Sequence, residues 1–325
     1  MSAEAPPASG ATAAPLPLPR MAVPRVAVLL STYNGERYLA EQLASLRRQE
    51  GVALHVHARD DGSTDGTCAI LRAHAPVWPE LADLAPGTNL GVAASFLHLL
   101  GTAPADADFY AFCDQDDVWM PDKLARATAA LAAEEGPALY CSNTVCVDHD
   151  LKVIGTPAPH PDARFHHILF DNVATGCTVV LNRAARELLV SRLPESGVLM
   201  HDWWCALVIA AFGRLHYDPV PSMFYRQHGG NVVGLNANWL GQKLGLMRRL
   251  LRQRRTFYPI HAQAAELLRQ FGPTMPAPHR DHLARLVESK RSLAARAAFA
   301  LSRQVVHRDL VGQTAVRGLI LANWY

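Results

Sequence analysis

The sequence predicts an α/β fold, a mostly parallel sheet flanked by helices, with a basic helical extension behind it. Short apolar runs alternate with segments of helical period through the first half of the chain, the pattern of strand, crossover helix and parallel strand. The loops that follow those runs are rich in Asp, Asn, Ser and Gly, and open α/β sheets bind ligands at the carboxyl ends of their strands. After residue 239 the charge changes sign. Residues 240–325 hold 15 Lys and Arg against 4 Asp and Glu, the rest of the chain 16 against 25.

Residues 26–30, Val-Ala-Val-Leu-Leu, suit a strand buried on both faces. From Glu36 the apolar positions Tyr38, Leu39, Leu43 and Leu46 recur at helical spacing, with acids early and Arg47 and Arg48 late, as the helix dipole favours. Residues 54–58 form a second strand and 67–74 a second helix. A weaker strand at 81–84 and a helix at 92–100 lead into the apolar run 107–113. Further strands are expected at 138–147, 173–181 and 215–225, and helices at 183–192 and 200–212. The tail carries amphipathic periodicity at 243–255, 261–271 and 282–300, interrupted by Pro259 and the proline-rich 273–278.

Half of the residues are hydrophobic and 18% are charged. No run of about 18 apolar residues occurs, so a membrane span is not expected. The six cysteines show neither CxxC pairs nor zinc spacing, which points to free thiols in a reducing cytoplasm. Residues 1–24, rich in Ala and Pro without an apolar signal core, read as a disordered leader. The expected organisation is therefore 1–24 leader, 25–239 catalytic body and 240–325 basic helical region.

The densest chemistry lies at Asp114-Gln115-Asp116-Asp117-Val118-Trp119. Three carboxylates in four positions, where an apolar strand leaves the sheet, repel one another unless a cation sits among them, and hard divalent cations take such oxygens. An acidic turn that caps the next helix is the alternative. A second polar loop, Asp60-Asp61-Gly62-Ser63-Thr64-Asp65-Gly66, imitates the start of a calcium loop but has Arg72 at its twelfth position, which excludes that reading. Ser63 and Asp65 suit a turn and a helix cap, whereas Asp60 is placed to accept a hydrogen bond from a nucleoside. His201-Asp202-Trp203-Trp204 offers a carboxylate beside two indoles, and partial desolvation would raise its pKa toward that of a general base. It too could be a cap. His228 follows the last expected strand and could ligate a metal beside the aspartates. There is no P-loop, no GxGxxG after the first strand and no G-x-S-x-G elbow, so nucleotide hydrolase, dehydrogenase and serine hydrolase readings lose their usual support.

Taken in order, these motifs over residues 25–235 resemble those of a family 2 glycosyltransferase with the GT-A fold, a Rossmann-like sheet flanked by helices. The forms DQDDVW, HDWW and YRQHGGN are most similar to its rhamnosyltransferase-like branch. The resemblance implies that Ser31, Thr32, Tyr33, Asn34, Asp60, Asp61, Ser63, Asn89, Gly91 and Asp114 hold the nucleotide. It implies Mg²⁺ or Mn²⁺ on Asp114, Asp116 and His228, Asp202 as the catalytic base, and a sugar and acceptor pocket formed by Asp117, Trp119, Gly176, Cys177, His201 and Trp203. The usual Glu-Asp of the base motif is His201-Asp202 here.

The implied reaction is an inverting transfer from a nucleoside-diphosphate sugar, dTDP-rhamnose or a UDP-hexose, to a glycan or lipid-linked acceptor of a surface polysaccharide. Nucleic acid is not among the implied partners. A sugar-nucleotide nucleotidyltransferase would need a Gly-rich, basic phosphate loop after the first strand, which Ser31 to Gly35 lacks; a non-catalytic nucleotide- or glycan-binding protein would not need Asp202. The basic tail suggests either a lid on the catalytic body or peripheral contact with the inner face of a membrane.

Overall fold

The computed structural model describes residues 23–78, 81, 83–160, 163–196, 198–227, 260–307 and 310–325. The expected helix at 243–255 and His228 lie outside them. The first half of the chain runs β1 (Arg25–Thr32), α1 (Leu39–Leu46), β2 (Ala53–Asp60), α2 (Thr67–His74), β3 (Asp83–Pro86), α3 (Val92–Thr102) and β4 (Phe109–Cys113). Strands β3, β2, β1 and β4 pair in parallel in that order. Alternation along the strands sorts their side chains between two cores. Val26, Val28 and Leu30 face α1, α2 and α4 (Lys123–Leu131), while Ala27 and Leu29 face α3 and the later helices.

The second half departs from the expected strands in an informative way. The run 138–147 divides into β6 (Ala138–Ser142) and β7 (Val145–Val147), and the run 215–225 into β10 (Arg214–Asp218) and β11 (Met223–Arg226). β6 and β10 complete a seven-stranded sheet, β10-β6-β9-β4-β1-β2-β3, whereas β7 and β11 belong to a separate four-stranded sheet, β5-β11-β7-β8. Here β5 is Val118–Trp119, β8 is Val153–Gly155 and β9 is Val180–Asn182. Both chains cross between sheets at the same level, where Asn143 donates its N–H to the Asp218 carbonyl and accepts from Ser222 N–H. Pro219 and Pro221 interrupt the second chain there, since proline cannot donate to the ladder.

Of the expected strand 173–181 only 180–181 joins the sheet, as part of β9 and antiparallel to both β4 and β6; the preceding Gly176–Thr178 is a single 3₁₀ turn. The helix α5 (Phe165–Ile168) precedes that turn, and α6 (Arg183–Ser191) and α7 (His201–Phe212) follow β9; α6 is capped by the Asn182 side chain.

The tail forms α8 (Ile260–Phe271), α9 (Ala277–Ser289), α10 (Leu293–Ala300) and α11 (Leu310–Leu321). The expected helix 282–300 is thus two helices, because Ser292 accepts the Ala295 N–H and starts a new one. Their inner faces, among them Ile260, Leu267, Phe271, Leu283, Phe299 and Ile320, are continuous with the core around α7. No helix among the described residues is long and apolar enough to cross a membrane, and all six cysteines are free.

Because Leu267 is fully buried in that shared core, Leu267→Ala is expected to destabilise the whole chain by about 2–5 kcal/mol. Denaturant unfolding should show one shifted transition rather than a separate early loss of the tail.

Candidate active site

The carboxyl ends of β1 and β2 are knotted together before any ligand arrives. Thr32 and Asp60 are register partners. The Asp60 carboxylate accepts from Thr32 Oγ1 at 2.9 Å, Ser63 Oγ at 2.6 Å, Ser63 N at 2.8 Å and Gly62 N at 3.1 Å. Burial works to raise its pKa, but the bonds from Ser63 and Thr32 outweigh it and hold the group below the ordinary carboxylate value. Four donors fill the acceptor sites of a carboxylate, so Asp60 clasps the loop itself. Asn34, with φ of 48°, donates its N–H to Ser63 Oγ at 2.9 Å and accepts from Thr64 N at 2.9 Å. The Tyr33 side chain stays 48% exposed.

Asp61 faces the other way. It pairs with the buried Arg59 and accepts the N–H groups of Leu90 and Gly91 at 2.8 and 2.9 Å, shaping the loop that carries exposed Asn89 and leads into α3. Gly91 begins that helix at φ of 81°, a left-handed conformation that favours glycine.

The aspartate turn spans the passage from β4 in the large sheet to β5 in the small one. Its side chains do not act alike. Gln115 accepts Tyr33 N–H at 2.8 Å and donates to Tyr33 O at 2.9 Å, so the motif's glutamine holds the β1 loop. Asp117 is fully buried and accepts Arg226 N–H at 3.0 Å. Arg226, itself 1% exposed, donates to the carbonyls of Asp116 and His149 and to the Glu41 carboxylate. Asp114 and Asp116 remain half-buried.

Burial, then the charges of Asp116 and Asp202, push the Asp114 carboxyl up to about 8, the behaviour of buried carboxylates crowded together. Among the described residues, Asp114, Asp117 and Cys177 bring one ligand-type atom each to within 4.8 Å of one another. The two carboxylates offer oxygen donors that fit a divalent cation, whereas burial holds the Cys177 thiol protonated. Of the metal set expected from sequence, Asp114 belongs to this group, Asp116 does not, and His228 lies outside the described residues, two positions beyond Arg226.

Asp202 sits in the first turn of α7 and accepts Trp203 N–H at 2.6 Å. Burial pushes its pKa up to about 7, partly offset by hydrogen bonds from Trp203 N–H, the Asn172 side chain and Gly176 N–H. Gly176 packs closely on this pair: a Cβ there would lie 3.0 Å from His201 Nε2 and 3.4 Å from Asp202 Oδ2. His201 is buried against Phe96 and Phe112, ring centroids 4.1 and 4.8 Å away, and burial drives its pKa down to about 3.

The expected aromatic wall is corrected. Trp203 is 4% exposed and donates its indole N–H to the Ile168 carbonyl, and Trp204 is fully buried, because α7 is enclosed nearly all round. Trp119 likewise packs inward, with the buried Lys123 ammonium 4.3 Å from its ring. Asp117 and Cys177 are buried rather than lining an open pocket.

The glycosyl transferase family 2 model matches residues 27–178, the span that holds both loops, the aspartate turn and Cys177. Residues 27–178 form a glycosyl transferase family 2 domain. The chain is 27% identical over 234 residues to the dTDP-rhamnosyl transferase RfbG of Shigella flexneri, covering 67% of this chain and 79% of that one. It is 28% identical to the succinoglycan biosynthesis protein ExoW of Rhizobium meliloti over 55% of this chain and 51% of ExoW. In structure it resembles S. aureus TarS 1-349 in complex with UDP-GlcNAc (TM-score 0.56, 18% identity, 87% of this chain and 82% of TarS). It also resembles the mannosyltransferase PcManGT of Pyrobaculum calidifontis in complex with GDP-Man and Mn²⁺ (0.53, 21%, 93% and 81%). These likenesses establish the GT-A fold for this glycosyltransferase.

Three contributors escaped the sequence reading: Gln115, Arg226 and Arg59. Each stands inside or beside a motif already singled out, but polar residues that bond to backbone leave no periodic signal. The Gln115 clasp is testable through Gly35, where a Cβ would lie 2.1 Å from Gln115 Oε1. Gly35→Ala is expected to cost about 1–3 kcal/mol in a thermal melt. Adding Gln115→Ala should recover part of that loss, a non-additive pair.

Proposed function

We propose that this glycosyltransferase is an inverting, divalent-cation-dependent enzyme. It would move a sugar, with dTDP-rhamnose as the preferred donor candidate over a UDP-hexose, to a hydroxyl of a surface-polysaccharide or lipid-linked glycan. The observation that carries the reading is geometric: Asp114 clusters with Asp117 and Cys177 within 4.8 Å, and Gly176, the residue before Cys177, packs against Asp202, which brings both carboxylates to one end of the sheet. Asp114 is raised to about 8 in part by Asp202, and Asp202 is raised to about 7. The first belongs to a cluster in need of a cation, and the second is a carboxylate poised near neutrality. The name of RfbG supports the rhamnosyl donor, and the name of ExoW, a succinoglycan biosynthesis protein, supports a glycan acceptor.

In this mechanism Asp202 accepts the proton of the acceptor hydroxyl. The acceptor oxygen forms its bond to the anomeric carbon as the bond from that carbon to the diphosphate breaks on the opposite face, inverting configuration. Asp114 with Asp116 and His228 would hold Mg²⁺ or Mn²⁺, whose Lewis acidity offsets charge on the departing diphosphate. The loops clasped by Asp60, Asp61 and Gln115 hold the nucleotide, with the exposed Tyr33 ring available to stack on the base.

Asp202→Asn is expected to lower kcat by about 10²–10⁴-fold while leaving nucleotide affinity by calorimetry unchanged; an unaltered turnover would remove Asp202 from the role. Since its pKa is raised, Asp202 is increasingly protonated below neutrality. Wild-type kcat should therefore rise with pH over about 6–8, and the residual rate of Asp202→Asn should be flat there. Asp114→Asn should abolish the Mn²⁺-dependent part of donor binding in the same titration, and retention of that part would refute the site.

A further inference from the structure

The last helix, α11, presents an outward face without a single charge. Leu310, Val311, Thr314, Ala315, Gly318 and Leu321 are exposed at spacings of three and four, the period of one helix stripe. Leu310 is 83% exposed, Val311 58% and Leu321 39%; on α10, the helix packed against α11, Leu293 is 64% exposed and the C-cap Leu301 71%. The opposite face is already used, because Val316 and Ile320 are buried in the core shared with the catalytic body. Solvated helix faces are normally rich in charge, and a contiguous exposed apolar patch marks a contact surface.

Charge decides which partner. Residues 290–325 hold six Lys and Arg, with Arg291 and Arg303 exposed, against the single acid Asp309. Residues 240–259 add six more with no acid. A two-fold contact between copies would set this basic segment against itself, since an isologous interface presents the same patch on both sides. A surface that is apolar beneath and anionic above satisfies both features.

We propose that the outer face of α11, with the exposed leucines of the α10 segment, docks on an anionic lipid bilayer. The sequence suggested membrane contact by the basic tail, residues 240–325, as a whole; the proposal narrows its apolar part to 293–321, and residues 243–255 lie outside the described residues. The proposal stands on these surface residues and not on the reading of the catalytic site.

The test is co-sedimentation of the full chain, without donor or acceptor, with phosphatidylcholine vesicles that do or do not contain phosphatidylglycerol. Binding is expected only to the anionic vesicles and is expected to weaken with salt. In Leu310→Glu/Leu321→Glu it should fall by about tenfold or more. These side chains are exposed, so the variant should keep the wild-type melting temperature; Val311→Glu alone serves if it does not, with a smaller loss. Absence of binding by the wild type at low salt would overturn the proposal. So would unchanged binding by both variants, which would move the contact to the basic residues 240–259. A concentration-dependent dimer that the substitutions abolish, without vesicle binding, would assign the face to a second copy.

Discussion

The buried guanidinium of Arg226 is the constraint on which the geometry of the site depends. A charge taken out of water is tolerated only when its donors are paired, and this one bonds to the carbonyls of Asp116 and His149, to the Glu41 carboxylate and lies 4.4 Å from the Tyr38 ring centroid. Those partners come from the aspartate turn, the β7–β8 connection and the start of α1. The same residue's N–H meets Asp117. The small sheet, the turn and the first helix are therefore located relative to one another through a single side chain. Asp114 and Asp116 are left as the two carboxylates that the fold does not bury completely.

A similar economy governs the loops above the sheet. Asp60, Asp61 and Gln115 are all polar residues of candidate motifs, yet each is engaged with other parts of the protein: Asp60 with Thr32 and Ser63, Asp61 with Arg59 and the Leu90–Gly91 backbone, Gln115 with Tyr33. Such bonds hold the loops in one arrangement ahead of ligand, which is how a site avoids ordering costs at the moment of binding. Asp202 is the converse case, a carboxylate that burial makes harder to ionise and therefore more basic.

Much of this was legible in the sequence. Continuous apolar runs identified β1, β2 and β4, and helical spacing identified α2, whose bounds coincide with the expected 67–74. The strands that change sheets were not legible, because a chain that turns between two buried sheets stays apolar on both sides of the turn. Pro219 and Pro221 were a usable warning in one of them; Asn143-Thr144 gave none. Trp203 and Trp204 misled for a related reason. Adjacent residues on a helix point about 100° apart, and only the packing around α7 shows that every direction open to them is core.

The residues alone determined the class of the fold, the order of its motifs and the crowding of carboxylates after β4, since these follow from hydrophobic period and from charge close in sequence. Tertiary structure decided which carboxylates are buried, which polar residues are consumed in clasping the loops and which helix face is left uncovered. Those outcomes depend on contacts such as Asp117 with Arg226, 109 residues apart, and desolvation at such contacts exists only once the chain has folded.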